Sequence, residues 1–102
     1  MEITVKRRGG FAGLTEDITA INTAHLEAAV AQRVEHLLQS IGFFNLPATV
    51  FGGTVGADLR VYEITTTTDH GQHTVTFPAD ESNPTTAPLH QLVQTLRQMT
   101  EQ

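Results

Sequence analysis

The sequence predicts an α+β fold: a two-layer sandwich in which a four-stranded antiparallel sheet packs one face against two helices, in the order β-β-α-β-β-α. Three observations lead there. Short stretches alternate apolar and polar residues with a period of two and stop at glycine-containing turns. Two longer stretches repeat apolar residues at helical spacing along one side only. These units also fall as hairpin, helix, hairpin, helix, so one sheet face serves to bury both helices. The opposite sheet face is then threonine-rich and open to water, as antiparallel sheets allow.

Ile3 and Val5 alternate with Glu2, Thr4 and Lys6, which reads as a strand ending at Gly9 and Gly10. Leu14 to Ile21 forms the second strand, but Leu14, Ile18 and Ile21 are not two apart, and a bulge is expected. Asn22 or Thr23 can cap the helix that follows. Leu26, Val30, Val34, Leu37, Leu38 and Ile41 make its apolar face, and Gly42 stops it. Phe43, Phe44 and Leu46 are too apolar for a free loop and are expected to fold back over the core, with Pro47 ending the stretch. Residues 48 to 57 hold three glycines and no charge, and read as a loop or irregular edge segment.

The third strand runs from about Leu59 to Thr68, with Tyr62, Ile64 and Thr66 on one face and Val61, Glu63 and Thr65 on the other. Asp69-His70-Gly71-Gln72 signals a turn, and His73 to Phe77 returns with Val75 and Phe77 inward. A polar linker leads to the second helix, whose buried stripe is Leu89, Leu92, Val93 and Leu96, with Pro88 in its first turn.

Composition narrows the function. The chain has 102 residues, enough for a single small domain spanning 1–102. A net charge of −5 argues against nucleic acid as a partner, because phosphate affinity rests on positive surface. Lys6-Arg7-Arg8 is the exception; strand alternation sends these cations to both faces, and they read as a solvated cluster guarding a sheet edge. The absence of cysteine rules out disulfides, thiolate catalysis and cysteine-ligated zinc. No secretory leader and no membrane span is visible, so the expected location is the cytoplasm.

A search for catalysis finds little. His25, His36, His70, His73 and His90 lack metal-ligand spacing and read as ordinary surface histidines, with no metal and no cofactor expected. Ser40 falls in a helix and Ser82 in the linker, neither in a strained turn beside a base. Glu16 and Asp17 are adjacent and point to opposite strand faces, so they form no acid–base pair. Glu63 faces away from Tyr62 as a solvated strand residue. The glycines from Gly9 to Gly13 do not complete a dinucleotide fingerprint. The chain does not read as an enzyme.

What remains is the run Gly9-Gly10-Phe11-Ala12-Gly13. Three glycines in five residues permit φ > 0 and close backbone approach, yet a large apolar side chain sits among them. Phe11 is either a core plug or a knob facing a ligand, and the residues leave both readings open.

Val5-Lys6-Arg7-Arg8-Gly9-Gly10-Phe11-Ala12-Gly13 resembles the opening of the emfourin family, the protealysin inhibitors, which are short cysteine-free bacterial proteins. The resemblance continues through the Leu26 to Ile41 helix, Phe43-Phe44-x-Leu46-Pro47, Asp58-x-x-x-Tyr62-x-Ile64, His73-Thr74-Val75 and Pro88-Leu89-x-x-Leu92-Val93-x-x-Leu96. Where a common family variant has serine before the turn, this chain has Arg8, and its middle loop is rich in glycine and threonine rather than proline. The resemblance implies a tight-binding inhibitor of a thermolysin-like zinc metalloprotease, monomeric when free. Gly9, Gly10, Phe11, Ala12 and Gly13 are then the residues expected to bind the protease. The alternative is a non-inhibitory protein–protein interaction module.

Overall fold

The computed structural model describes residues 1–9, 14–50, 60–79, 84 and 86–100. Strands β1 (Glu2–Gly9), β2 (Leu14–Asn22), β3 (Arg60–Thr68) and β4 (Gly71–Pro78) and helices α1 (Ala28–Ser40) and α2 (Ala87–Thr100) follow in the expected β-β-α-β-β-α order. The sheet order is β2-β1-β3-β4, and every neighbouring pair is antiparallel. Both hairpins are therefore present. Since β2 and β3 both run antiparallel to β1, the connection through α1 carries the chain past β1 to its far side.

That order corrects the reading of Lys6-Arg7-Arg8 as an edge cluster. β1 lies inside the sheet, paired on both sides. Its cations are accommodated there because carboxylates stand on the flanking strands: Lys6 is in register with Asp17 and Glu63, and Arg7 with Glu16. Opposite charges at cross-strand positions stabilise a sheet that like charges would weaken.

The core forms on one sheet face. Ile3 and Val5 of β1, Ile21 of β2, Tyr62 and Ile64 of β3, and Val75 and Phe77 of β4 are all buried. They pack with Val34 and Leu38 of α1, Phe43, and the α2 stripe Leu89, Leu92, Val93 and Leu96. Burying each such side chain contributes about 1.5–3 kcal/mol relative to exposure, which is why one-sided helices seat here. On the outer face Thr65 and Thr74 face each other with hydroxyls 2.9 Å apart.

Local departures have local causes. The ladder between β1 and β2 shifts between Val5 and Lys6: Val5 pairs with Thr19 but Lys6 with Asp17, leaving Ile18 as the extra residue of a bulge, packed against the core. The expected cap exists, but on a different element. The Asn22 side chain accepts from the Ala24 N–H at 3.0 Å and caps a 3₁₀ turn, Thr23–His25. Leu26 closes that turn, so α1 begins only at Ala28, after Glu27.

At its other end, Gly42 adopts φ +67°, in the left-handed region where a Cβ is unfavourable, and its N–H donates to the Gln39 carbonyl at 3.0 Å. A second 3₁₀ turn, Phe43–Asn45, then divides the two phenylalanines: Phe43 is buried, whereas Phe44 is 43% exposed. Only the first folds over the core; consecutive residues in this turn cannot both face the sheet. Thr49 forms a parallel bridge with Thr76, with Val50 donating to the Thr76 carbonyl and Thr76 to the Ala48 carbonyl, each at 2.8 Å. The start of the irregular edge segment thus adds one rung beside β4; residues 51–57 of it lie outside the described residues.

Candidate functional site

Gly9 closes β1 in register with Leu14 on one side and Arg60 on the other, at φ +109°. An L side chain rarely adopts that backbone conformation, so glycine is the residue this junction takes. Of the five residues expected to bind the protease, Gly9 is thereby placed at the end of an interior strand. Gly10, Phe11, Ala12 and Gly13 lie outside the described residues, and with them the direction of Phe11.

The same end of the sheet gathers other chain passages. Arg60, beside Gly9, is where the chain enters β3, and its carbonyl accepts from the Ala79 N–H at 2.8 Å just after the end of β4. Gly9, Leu14, Arg60 and Ala79 therefore share one end of the sheet, opposite the β3–β4 turn at Asp69 and His70.

Two rungs below, one row of side chains crosses the helix-side face: Glu16, Arg7, Tyr62 and Phe77, in register on the four strands. Arg7 Nη2 donates to both Glu16 carboxylate oxygens, at 2.8 and 2.9 Å. That hydrogen bond and the Glu16 charge, with a smaller contribution from Tyr62, hold the Arg7 pKa above its usual value. On the outer face Arg8 Nη2 lies 3.2 Å from a Glu63 carboxylate oxygen. Glu63 is thus an ion-paired strand residue, and Glu16 and Asp17 do point to opposite faces, as expected. Sequence patterning treated these charges singly; their pairing depends on strand order.

His90 departs from the expected surface role. It is 6% exposed, with its ring edge-on to Phe77 at 5.1 Å between centroids and to Tyr62 at 5.8 Å. Its buried Nε2 has no hydrogen-bond partner among the described residues. His73 is half-buried, its Nε2 3.1 Å from the Phe43 carbonyl oxygen, and the exposed ring of Phe44 lies 6.3 Å from it. The exposed Phe44 departs from the expectation that it folds over the core with Phe43.

Catalytic groups do not converge in the described part of the chain. Among the described residues no three His, Asp or Glu side chains are placed to hold a metal ion. The Ser40 hydroxyl donates to the Leu37 carbonyl at 2.8 Å within its own helix. An open depression of about 370 Å³ lies beside Glu2, Glu35, Asp69 and His70, but a substrate pocket buries most of its ligand and is lined mainly by apolar groups. No described helix is long and apolar enough to cross a membrane.

In comparison with known families, the family model for Emfourin matches residues 5–94. No curated protein and no solved structure matches the chain.

Proposed function

Because the chain belongs to the emfourin family, we propose that it is a protein inhibitor of a thermolysin-like zinc metalloprotease, blocking the active-site cleft without being turned over. The observation that carries this reading is the family match over residues 5–94, which takes in the Gly9–Gly13 segment, all of α1 and the first part of α2. The zinc belongs to the protease; this chain supplies shape.

Gly9, Gly10, Phe11, Ala12 and Gly13 form the contact in this reading, with Phe11 as its anchor. Buried aromatic side chains carry a disproportionate share of interface energy, and metalloprotease clefts of this class accept bulky apolar groups beside the metal. The junctions of the segment support the role. Gly9 and Leu14 are paired with each other, and Gly9 also with Arg60, so both ends of the segment are anchored in a sheet. A segment held in this way loses less conformational freedom on docking than a free peptide does.

Titration of a thermolysin-like protease tests the reading. The expected result is a loss of peptide hydrolysis that reaches completion near one equivalent, with the chain recovered intact. Hydrolysis unchanged at tenfold excess would overturn inhibition and leave the non-inhibitory interaction module.

A further inference from the structure

We propose that the Arg7–Glu16 ion pair is a positioning element for the protease-binding segment, fixing the register of its two supporting strands; this rests on the inhibitor reading above.

A hairpin with a bulge has two registers within reach, and here they differ at the segment itself. With the shift at Ile18, Arg7 faces Glu16 and Gly9 faces Leu14, so four residues, 10–13, join the two partners. Continued without it, the upper register would set Arg7 against Asp17 and Gly9 against Thr15, lengthening the connection between the partners by one residue and turning Ile18 to the outer face. The observed register instead packs Ile18 against the core and brings Arg7 Nη2 within 2.9 Å of both Glu16 oxygens. The shorter aspartate in the alternative register reaches less far across the strands.

The pair is well placed for this work. It lies two rungs from the end of the ladder, on the helix-side face, with Arg7 next to the buried Tyr62 on the third strand. Its side chains remain 32% and 56% exposed, so it adds little to global stability. The outermost rungs of a hairpin, however, open at low cost, and small interactions control how often they do so.

The test compares Arg7→Ala, Glu16→Gln and the charge-swapped double variant R7E/E16R with the parent. Inhibition constant, thermal midpoint and amide exchange at Gly9, Leu14 and Thr15 are measured for each. Each single variant is expected to weaken inhibition about two- to fivefold, at a nearly unchanged midpoint, and to speed exchange at these amides. The double variant is expected to restore both. Weakened inhibition that the swap fails to restore would make Arg7 or Glu16 a direct protease contact and overturn the proposal. Parental exchange and inhibition in the single variants would overturn it as well. Should the parent inhibit no metalloprotease, the functional reading fails by itself, and the exchange data alone decide whether the pair holds these strands.

Discussion

His90 sets its ring edge against Phe77, 5.1 Å between centroids, while its buried Nε2 meets no hydrogen-bond partner among the described residues. Removing a partnerless polar atom from an apolar box relieves a desolvation cost of order 1–3 kcal/mol. His90→Phe keeps an aromatic ring against Phe77 and Tyr62, and is expected to raise unfolding stability by about 1 kcal/mol. Urea denaturation checks this. A loss of similar size would show that Nε2 has a partner in the folded protein.

Gly42 separates α1 from the Phe43–Asn45 turn at φ +67°, and a Cβ built there meets no atom within 4 Å. Space is therefore not the obstacle; backbone conformation is. Gly42→Ala is expected to cost about 1–2 kcal/mol, and Gly42→Asn less, because asparagine tolerates the left-handed region. Equal denaturation midpoints for the two variants would contradict this account.

Leu92 is fully buried where α2 meets the sheet. Leu92→Ala removes packed methyl groups and leaves a cavity, with an expected cost of about 2–5 kcal/mol. A change under 1 kcal/mol by chemical denaturation would mean that α2 does not seat on the core through this stripe.

Much of this packing was legible in the sequence because it depends on local period. Val34 and Leu38, the stripe from Leu89 to Leu96, and the inward alternation of Tyr62, Ile64, Val75 and Phe77 all occupy the predicted faces. Even the bulge at Ile18 showed as a broken period. Strand order was not legible in the same way, since alternation tells which face a residue takes but not how many neighbours its strand has. Lys6, Arg7 and Arg8 therefore looked like edge protection, although β1 lies between β2 and β3. His90 misled for a related reason: one imidazole on an amphipathic helix carries no local mark of the aromatic rings that surround it. In the candidate site, the glycines at the end of β1 were readable as permissive backbone, and Gly9 does adopt a positive φ. The Arg7–Glu16 contact became visible only once the register was known.

Phe11 is the proposed anchor of the protease contact. Phe11→Ala in a folded protein is expected to weaken inhibition by at least about 1–2 kcal/mol, roughly five- to thirtyfold in the inhibition constant. Parental inhibition at full stability would remove Phe11 from the interface. Loss of folding would make it a core plug instead.

The central claim is that the end of the sheet formed by Gly9, Leu14 and Arg60 docks on the metalloprotease. Amide hydrogen exchange of the free chain and of its complex with the protease measures this most directly. The account predicts slowed exchange on binding across residues 9–14, with the turn at Asp69 and His70 unchanged at the opposite end. Protection confined to that turn, with residues 9–14 exchanging as in the free chain, would contradict it.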